Sequence, residues 1–122
     1  MGKLALSHLF FILYKGVDMS MEVWIHCRTI HNNLKYLLDY QEQLLTEYAN
    51  EKSMRVLGIS KVTYRDINYE DNQILEMINY IIHRKIQAIL VYDRTSITSK
   101  PEEYMEFEIL CRQNDVKIIG IN

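Results

Sequence analysis

The stretch EVWIHCRTIH, residues 22–31, decides the fold expected for this chain. Its first part, from Val23 to Cys27, is a short and mostly apolar run of the kind found in a buried strand. Arg28 follows this run, at the point where the strand would reach the carboxyl edge of a sheet. Ligands of open α/β sheets bind at that edge, where an arginine can present its planar fork of donors to a phosphate.

Apolar residues downstream of this strand recur at steps of three and four, which predicts one face of a long helix. Asn32 and Asn33 are candidate capping residues for its first turn, and the pattern continues to about Lys52. The face comprises Leu34, Leu37, Leu38, Gln41, Leu44, Leu45 and Tyr48.

The middle of the chain predicts a second strand and a second helix. Residues 54–59 have the pattern of a strand, and the polar residues 60–69 predict a loop at the carboxyl edge of the sheet. Asp71 and Asn72 are expected to open the next helix. The basic residues 83–85 suit its C-terminus, because positive charge is favourable at the negative end of the helix dipole.

The last third of the chain predicts one more unit of strand, helix and strand. Residues 86–92 are almost continuously apolar, as expected for a central parallel strand, and residues 93–99 form the next edge loop. The sequence SKPE at residues 99–102 has the form of a capping box with a proline in the first turn, for a helix to about Gln113. Residues 116–121 then predict a fourth strand.

This alternation predicts a three-layer α/β fold, a mainly parallel sheet of four to five strands with helices on both faces. The length of 122 residues suits one domain. Residues 1–20 are expected to be an N-terminal extension to the core at 21–122, packed as a short helix or strand or, alternatively, anchored at a membrane surface. Its apolar run at 4–14 imitates a signal peptide, but no small-x-small cleavage site follows, and the run is too short to cross a bilayer.

The overall charge argues against a protein that holds DNA without help. The formal net charge is −2, whereas DNA-binding domains usually carry a basic face that neutralises phosphates. A net charge of −2 is still compatible with a local basic patch. The two cysteines, Cys27 and Cys111, form no Cys-x-x-Cys pair and are expected to be buried, reduced thiols of a cytoplasmic protein.

The sequence lacks the motifs of several common functional sites. Without a Gly-x-Gly-x-x-Gly stretch, a nucleotide-binding Rossmann domain is not expected. His26 and His31 are five residues apart with no acid or cysteine to complete a ligand set, so neither a metal site nor any cofactor is predicted. The acidic run in the last helix is expected to be solvated and stabilised by the helix dipole. It comprises Glu102, Glu103, Glu106 and Glu108.

Two motifs and the order of elements point to one family. The sequence HCRTI at residues 26–30 resembles a strand ending in Tyr-x-Arg-x-Ser, and LDYQEQL at 38–44 resembles a helix with Ser-Leu-x-x-Gln-x-x-x-Leu. The closing helix and strand at 102–120 match in length and in their Asn-Asp-Val turn. Residues 22–122 thus resemble the catalytic N-terminal domain of serine recombinases, the resolvases and invertases.

The resemblance implies a role for each matched position. In the family the serine attacks a DNA phosphate, the arginine steadies that phosphate, and the glutamine faces the active site. Arg28 and Gln41 occupy the last two positions here. The family continues into a dimerisation helix and a DNA-binding domain, so residues 21–122 are expected to be a core domain that lacks both.

The departures from the family pattern fall on its catalytic residues. Ile30 occupies the nucleophile position and has no oxygen to offer. The family's Arg-Pro-Gly-Leu stretch falls on residues 71–74, and its Ser-Gly loop falls near residues 65–66. Its Asp-Arg-Leu-Ser-Arg motif falls on residues 95–99 without a gap, which removes both arginines, whereas a gapped alignment keeps Asp93-Arg94 as one Asp-Arg pair.

Three functions are compatible with this pattern. The preferred one is a non-catalytic recombinase-like module in DNA recombination or a mobile element, with an active recombinase as partner and weak DNA binding at most. A residual DNA-cleaving enzyme would need another nucleophile, such as Thr29 or Ser96. A phosphate sensor would use Arg28, Arg65 and Arg94. Whether the chain is an enzyme, and its oligomeric state, stay open.

Structural roles are the alternatives for the same residues. Arg28 could pair with Asp66 or Asp93 and only hold the edge loops together, and Gln41 could cap a nearby loop. Three tyrosines of the first helix are expected to pack at the boundary of the core, or otherwise to form a protein-binding stripe. These are Tyr36, Tyr40 and Tyr48.

Overall fold

The computed structural model describes residues 20–122, in which four strands alternate with three α-helices. Short 3₁₀ turns precede the first and the last helix. The strands are β1 (Glu22–Arg28), β2 (Arg55–Val62), β3 (Ala88–Val91) and β4 (Lys117–Gly120), the helices are α1 (Tyr36–Glu51), α2 (Asn72–Ile82) and α3 (Pro101–Gln113), and the 3₁₀ turns are Asn32–Leu34 and Arg94–Ser96.

All four strands are parallel and lie in the order β2-β1-β3-β4. This confirms the expected three-layer α/β fold. Ile25 in the middle of β1 pairs with Ile59 of β2 and with Leu90 of β3. Because β1 is longer than β3, its last residues extend beyond the end of β3 towards the carboxyl edge of the sheet.

The side chains of β1 alternate between two hydrophobic cores, one on each face of the sheet. Val23, Ile25 and Cys27 pack with Leu38 and Leu45 of α1 on one face. On the other face, Trp24 packs in a core that includes residues of α2 and α3. The same alternation places Arg28 on the face of Trp24, at the end of the strand.

The single tryptophan fixes the shape of β2 next to it. Trp24 is buried, and its ring meets that of Tyr80 edge-on with 5.2 Å between the centroids. A Cβ atom on Gly58 would lie 2.1 Å from the tryptophan ring, so only glycine fits there. The pairing of β2 with β1 shifts register at this point, since Val23 pairs with Val56 and Trp24 with Gly58.

The second strand extends three residues further than the sequence predicts. Residues 60–62, expected in a loop, pair with the last three residues of β1. Ser60 is fully buried, and its hydroxyl accepts a hydrogen bond from the indole Nε1 of Trp24 at 3.0 Å. This partner, 36 residues away in sequence, is what allows a polar residue inside the sheet.

The predicted helix caps are right for one helix and wrong for two. Asp71 caps α2, and its carboxylate accepts from the backbone N–H of Gln73 at 2.8 Å. Asn32 and Asn33 do not cap α1, which begins after a 3₁₀ turn with Lys35 at its N-cap. The expected capping box is also absent, because Lys100 is the N-cap of α3 and Ser99 contacts Arg28.

Other expectations have simpler outcomes. The basic residues 83–85 lie beyond the end of α2, which stops at Ile82. Cys27 and Cys111 are buried and free, and burial raises the pKa of each thiol to about 12. Residues 1–19 of the expected N-terminal extension lie outside the described residues. Within residues 20–122, no helix has the length and apolar character needed to span a membrane.

Candidate functional site

Arg28 lies at the carboxyl edge of the sheet and holds two edge loops together. Its Nε donates to the carbonyl oxygen of Tyr64 at 2.6 Å, and its Nη2 donates to that of Arg65 at 2.7 Å. Nη2 also donates to Oγ of Ser99 at 2.5 Å, which links the loop before α3 to the loop before α2. The guanidinium therefore faces protein oxygen atoms at the position where a phosphate-binding arginine was expected.

The charged guanidinium of Arg28 is partly buried. Burial lowers the pKa of its guanidinium, and the nearby carboxylates of Asp66 and Glu103 act in the opposite direction. The group remains a cation at neutral pH because arginine titrates far above it. It is thus a fixed positive charge whose neighbours include two acids.

Gln41 positions the backbone of Arg28. Its Oε1 accepts from the backbone N–H of Arg28, and its Nε2 donates to the carbonyl oxygen of the same residue, both at 2.9 Å. The pairing of β1 with β3 ends at Ile25 and Leu90, so no strand reaches this part of β1 on that side. The amide of Gln41 takes the place of the missing strand and keeps Arg28 in an extended conformation.

A carboxylate of α3 joins the two edge loops a second time. Glu103 Oε1 accepts from the backbone N–H of Ile67 and from Oγ1 of Thr98, both at 2.6 Å. Nearby, Nζ of Lys100 lies 3.0 Å from a carboxylate oxygen of Asp66. Glu103 belongs to the acidic run that is expected to be solvated, and nothing in the local sequence distinguishes it from its neighbours.

Next to Arg28, on the same face of the sheet, lies a row of buried polar side chains that no local sequence pattern predicts. The Nδ1 atom of His26 is 2.6 Å from Oγ of Ser60, which also accepts from Trp24. Burial, with the charge of Arg28, lowers the pKa of His26 to about 4, while Asp71 acts in the opposite direction. His26 is therefore a neutral imidazole at pH 7.

Several solved structures have a fold similar to that of this chain. The C-terminal catalytic domain of ISC1926 TnpA, an IS607-like serine recombinase, superposes with a TM-score of 0.74 at 22% identity, over 84% of this chain and 70% of that one. The N-terminal catalytic domain of TP901-1 integrase gives 0.70 at 20% identity, over 83% and 78%. A resolvase family site-specific recombinase from Streptococcus pneumoniae gives 0.68 at 14% identity, over 84% and 72%.

The chain has the fold of a serine recombinase catalytic domain. The fold expected from the sequence resemblance is therefore confirmed. No protein-family model and no curated protein sequence matches the chain. At sequence identities of 14–22%, the similarity shows the fold alone. Any chemistry therefore depends on the residues at the sheet edge.

At the nucleophile position of the serine recombinase pattern, the structure places an exposed apolar side chain. Ile30 is 43% exposed, directly after the edge of the sheet. Thr29, one of the two substitute nucleophiles considered, is 8% exposed, and its backbone N–H donates to Val62. The other, Ser96, lies in the 3₁₀ turn Arg94–Ser96 that follows β3.

The three arginines proposed for a phosphate site are held in three different ways. Arg28 is bonded to loop oxygen atoms, as described above. Arg65 is exposed, and its guanidinium has no hydrogen-bond or ion-pair partner among the described side chains. Arg94 lies beside Gly120, and its Nη2 is 3.3 Å from a carboxylate oxygen of Glu108 on α3. Each of the three guanidinium groups therefore has different surroundings.

The described part of the chain gives no support for a metal centre. Within residues 20–122 there is no group of three histidine, cysteine, aspartate or glutamate side chains that could hold a metal ion. His31 is exposed, whereas His26 is buried against Ser60. The positive charges of the edge are those of the arginine and lysine side chains.

Proposed function

We propose that this protein is a non-catalytic recombinase-like module, which keeps the recombinase fold and acts by binding in DNA recombination or in a mobile element. Its partners would be an active recombinase, or a DNA backbone held weakly. The observation that carries the proposal is the pair formed by Ile30 and Arg28. The first has no nucleophilic atom, and the second donates to oxygen atoms of its own chain.

The missing nucleophile removes the first requirement of phosphoryl transfer. A covalent mechanism needs an activated oxygen or sulfur atom that can attack phosphorus. Ile30 offers neither, and the adjacent Thr29 is buried. Alternating side-chain directions in an extended chain also direct Thr29 away from the face of Arg28.

The second requirement is a set of donors around the charge that develops on the phosphate. Loss of one such donor typically costs about 3–4 kcal/mol in activation free energy. Here Arg94 is paired with Glu108, and Asp71 stands where the resemblance places an arginine. Restoring a hydroxyl alone would therefore not restore cleavage.

A cleavage assay tests this directly. Supercoiled plasmids with randomised inserts are incubated with the wild-type protein and with Ile30→Ser, and the reactions are stopped with detergent. We expect no covalent protein–DNA adduct from either protein, while an active serine recombinase on its own site serves as positive control. An adduct from the wild-type protein would overturn the proposal.

A second candidate, residual strand cleavage, is favoured by one observation. The hydroxyl of Ser99 lies 2.5 Å from Nη2 of Arg28, so a potential nucleophile sits beside the one arginine that matches the family. Ser99 is exposed, unlike Thr29. Any adduct seen with the wild-type protein is therefore examined in Ser99→Ala, Thr29→Ala and Ser96→Ala. Loss of the adduct in Ser99→Ala alone identifies this serine as the nucleophile.

DNA binding is measured separately, by fluorescence anisotropy of a labelled duplex over a salt series. Arg65 is the variant of choice because its exposed side chain has no hydrogen-bond or ion-pair partner within residues 20–122, and Arg55, at the opposite end of β2, is the matched control. If the edge holds a DNA backbone, Arg65→Ala weakens binding and reduces the salt dependence, while Arg55→Ala changes neither. No binding at low salt leaves a protein partner as the remaining role.

A further inference from the structure

Helices α2 and α3 carry apolar side chains on their outer surface as well as in the core. The side chains that face the core are Ile74, Met77 and Ile81 on α2, and Phe107 and Cys111 on α3. A second apolar set on the same helices is exposed or half-buried, and its spacing gives one stripe on each helix. These stripes consist of Leu75, Ile78 and Ile82 on α2, and of Met105 and Ile109 on α3.

The exposure of these two stripes is high for apolar side chains. Leu75, Ile82, Met105 and Ile109 are each between 47% and 60% exposed. Within residues 20–122, eight large apolar or aromatic side chains are exposed, and these four make up half of them. Isolated exposed apolar residues are common on soluble proteins, whereas several on one surface mark a site of interaction.

The two helices lie side by side and run in the same direction. At their N-terminal ends, Oε1 of Glu103 on α3 accepts from the backbone N–H of Ile67, in the loop before α2. At their C-terminal ends, Nη1 of Arg84 after α2 lies 3.3 Å from a carboxylate oxygen of Asp115 after α3. Contacts at both ends therefore hold α2 and α3 as a parallel pair.

Both stripes lie on the outer surface of this pair. Gln73 marks the side of α2 that faces the edge strand β2, because its amide bonds the backbone of Lys61. Leu75 and Ile82 follow two and nine residues later, about 200° and 180° further around the helix, so they lie on the side of α3. Met105 and Ile109 are each two residues from the buried Phe107, and so point away from the sheet. The two stripes together form the helix-pair face.

Charged side chains flank the helix-pair face, and their sign changes along the helix axes. The first halves of α2 and α3 contribute three exposed acids, Glu76, Glu102 and Glu106. The C-terminal ends contribute three exposed bases, Arg84, Lys85 and Arg112. One end of the face is therefore acidic and the other is basic, with the apolar stripes between them.

The bases of this face keep much of their surface in solvent. Arg84 is paired with Asp115 and Arg112 with Glu108, yet 44% of the first arginine side chain and 74% of the second stay exposed. Exposed ion pairs of this kind contribute little to stability. Both arginines can therefore meet the carboxylates of a bound partner.

We propose that the helix-pair face is a contact between two copies of this chain, packed antiparallel around a two-fold axis. A two-fold contact uses the same patch on both copies, so the patch has to complement itself. In the antiparallel arrangement the acidic end of each copy lies against the basic end of the other, and the apolar stripes are buried between them. Parallel packing would place like charges together.

The change of sign along the face selects a second copy over other occupants. A partner segment of uniform charge would be attracted at one end of the face and repelled at the other. The phosphates of a nucleic acid would meet the carboxylates of Glu76, Glu102 and Glu106. A copy of the chain has the matching charge at both ends.

Sedimentation equilibrium of the 122-residue protein, from micromolar to millimolar concentration, measures the contact. We expect a monomer–dimer equilibrium that Met105→Lys weakens by about tenfold or more, because the substitution places a charge in the centre of the interface twice. Tyr36→Lys is the matched control, since Tyr36 is 64% exposed but lies on α1, across the sheet. It should leave the equilibrium unchanged.

Charge reversal tests the antiparallel arrangement. One variant carries Glu76→Lys and Glu106→Lys, which makes both ends of the face basic, and the other carries Lys85→Glu and Arg112→Glu, which makes both ends acidic. We expect each variant alone to be more weakly dimeric than the wild type, and a mixture of the two to form a heterodimer. Circular dichroism of each variant verifies that it is folded.

Three results would overturn the proposal. They are a wild-type protein that stays monomeric at millimolar concentration, a dimer that Met105→Lys and Tyr36→Lys weaken equally, and folded charge-reversed variants that do not associate when mixed. None of these measurements involves DNA or its cleavage. The contact between copies and the proposed loss of catalysis therefore stand or fail separately.

Discussion

At the residue scale, two glutamine side chains make the backbone hydrogen bonds that a neighbouring strand makes elsewhere in the sheet. Gln41 satisfies the N–H and C=O of Arg28, and Gln73 satisfies those of Lys61. Each side chain presents an acceptor and a donor with the spacing of a backbone peptide group, so it can end a ladder without leaving buried polar atoms unpaired. Arg28 is therefore fixed from both sides, through its backbone by Gln41 and through its guanidinium by the edge loops.

Removing one of these amides should be costly. Gln41→Leu leaves the N–H and C=O of Arg28 without partners in a partly buried place, and we expect the free energy of unfolding to fall by about 1–3 kcal/mol. Urea denaturation followed by circular dichroism measures this. Gln43→Leu, on the same helix and exposed, is the matched control and should change stability by less than about 0.5 kcal/mol. Equal effects of the two substitutions would contradict the positioning role of Gln41.

A second prediction at this scale concerns the protonation of His26. Its pKa falls from the ordinary 6.5 to about 4 because the imidazole is buried. Above pH 6.5 it is neutral in both states. Between pH 6.5 and 4 the unfolded chain takes up a proton that the folded chain does not, so the free energy of unfolding decreases as the pH falls, by up to about 3 kcal/mol.

Urea titrations at a series of pH values check this sign. Carboxylates also titrate towards pH 4, so the comparison is made between variants and above pH 5, where most of them are ionised. His26→Gln should lose the slope in that window, whereas His31→Gln, which changes an exposed histidine, should keep it. A wild-type slope that survives in His26→Gln would assign it to another group.

At the element scale, the end of α1 contains a conformation that its residue does not favour. Ser53, in the turn before β2, has a φ of 56°, in the left-handed region where a Cβ atom is penalised. Ser53→Gly should raise the free energy of unfolding by about 1 kcal/mol. Ser53→Ala removes the same hydroxyl and keeps the Cβ atom, so thermal unfolding should show no gain for it. A similar gain in both variants would show that the hydroxyl, and not the backbone, is responsible.

The elements also show what the sequence could and could not predict. β1, β3, β4 and the start of α2 follow from local patterns, because an apolar run or a capping aspartate needs no distant partner. The end of β2 does not, since Ser60 is in the sheet only because Trp24 and His26 bond its hydroxyl. Ser99 likewise looks like a helix cap, and its actual partner, Arg28, is 71 residues away.

The same limit applies to the candidate site. The position of Arg28 at the sheet edge could be predicted from its strand. For Gln41 the sequence predicts only a general capping role, and not its two hydrogen bonds to the backbone of Arg28. The engagement of its guanidinium by carbonyl oxygen atoms could not be predicted, because backbone groups carry no signature in the sequence. Glu103 was missed for the related reason that its partners, Ile67 and Thr98, lie in irregular loops.

At the scale of the whole molecule, one four-stranded sheet separates two cores, and β1 and β3 contribute to both. Loss of either core removes the support of the same strands, so unfolding should be a single cooperative transition. Leu45→Ala, in the core beneath α1, tests this because Trp24 reports from the opposite face. We expect a loss of about 2–5 kcal/mol, with tryptophan fluorescence and circular dichroism shifting together. If α1 melted first while the Trp24 transition stayed in place, the two faces would be independent, and partner binding at one face could not be communicated to the other through the sheet.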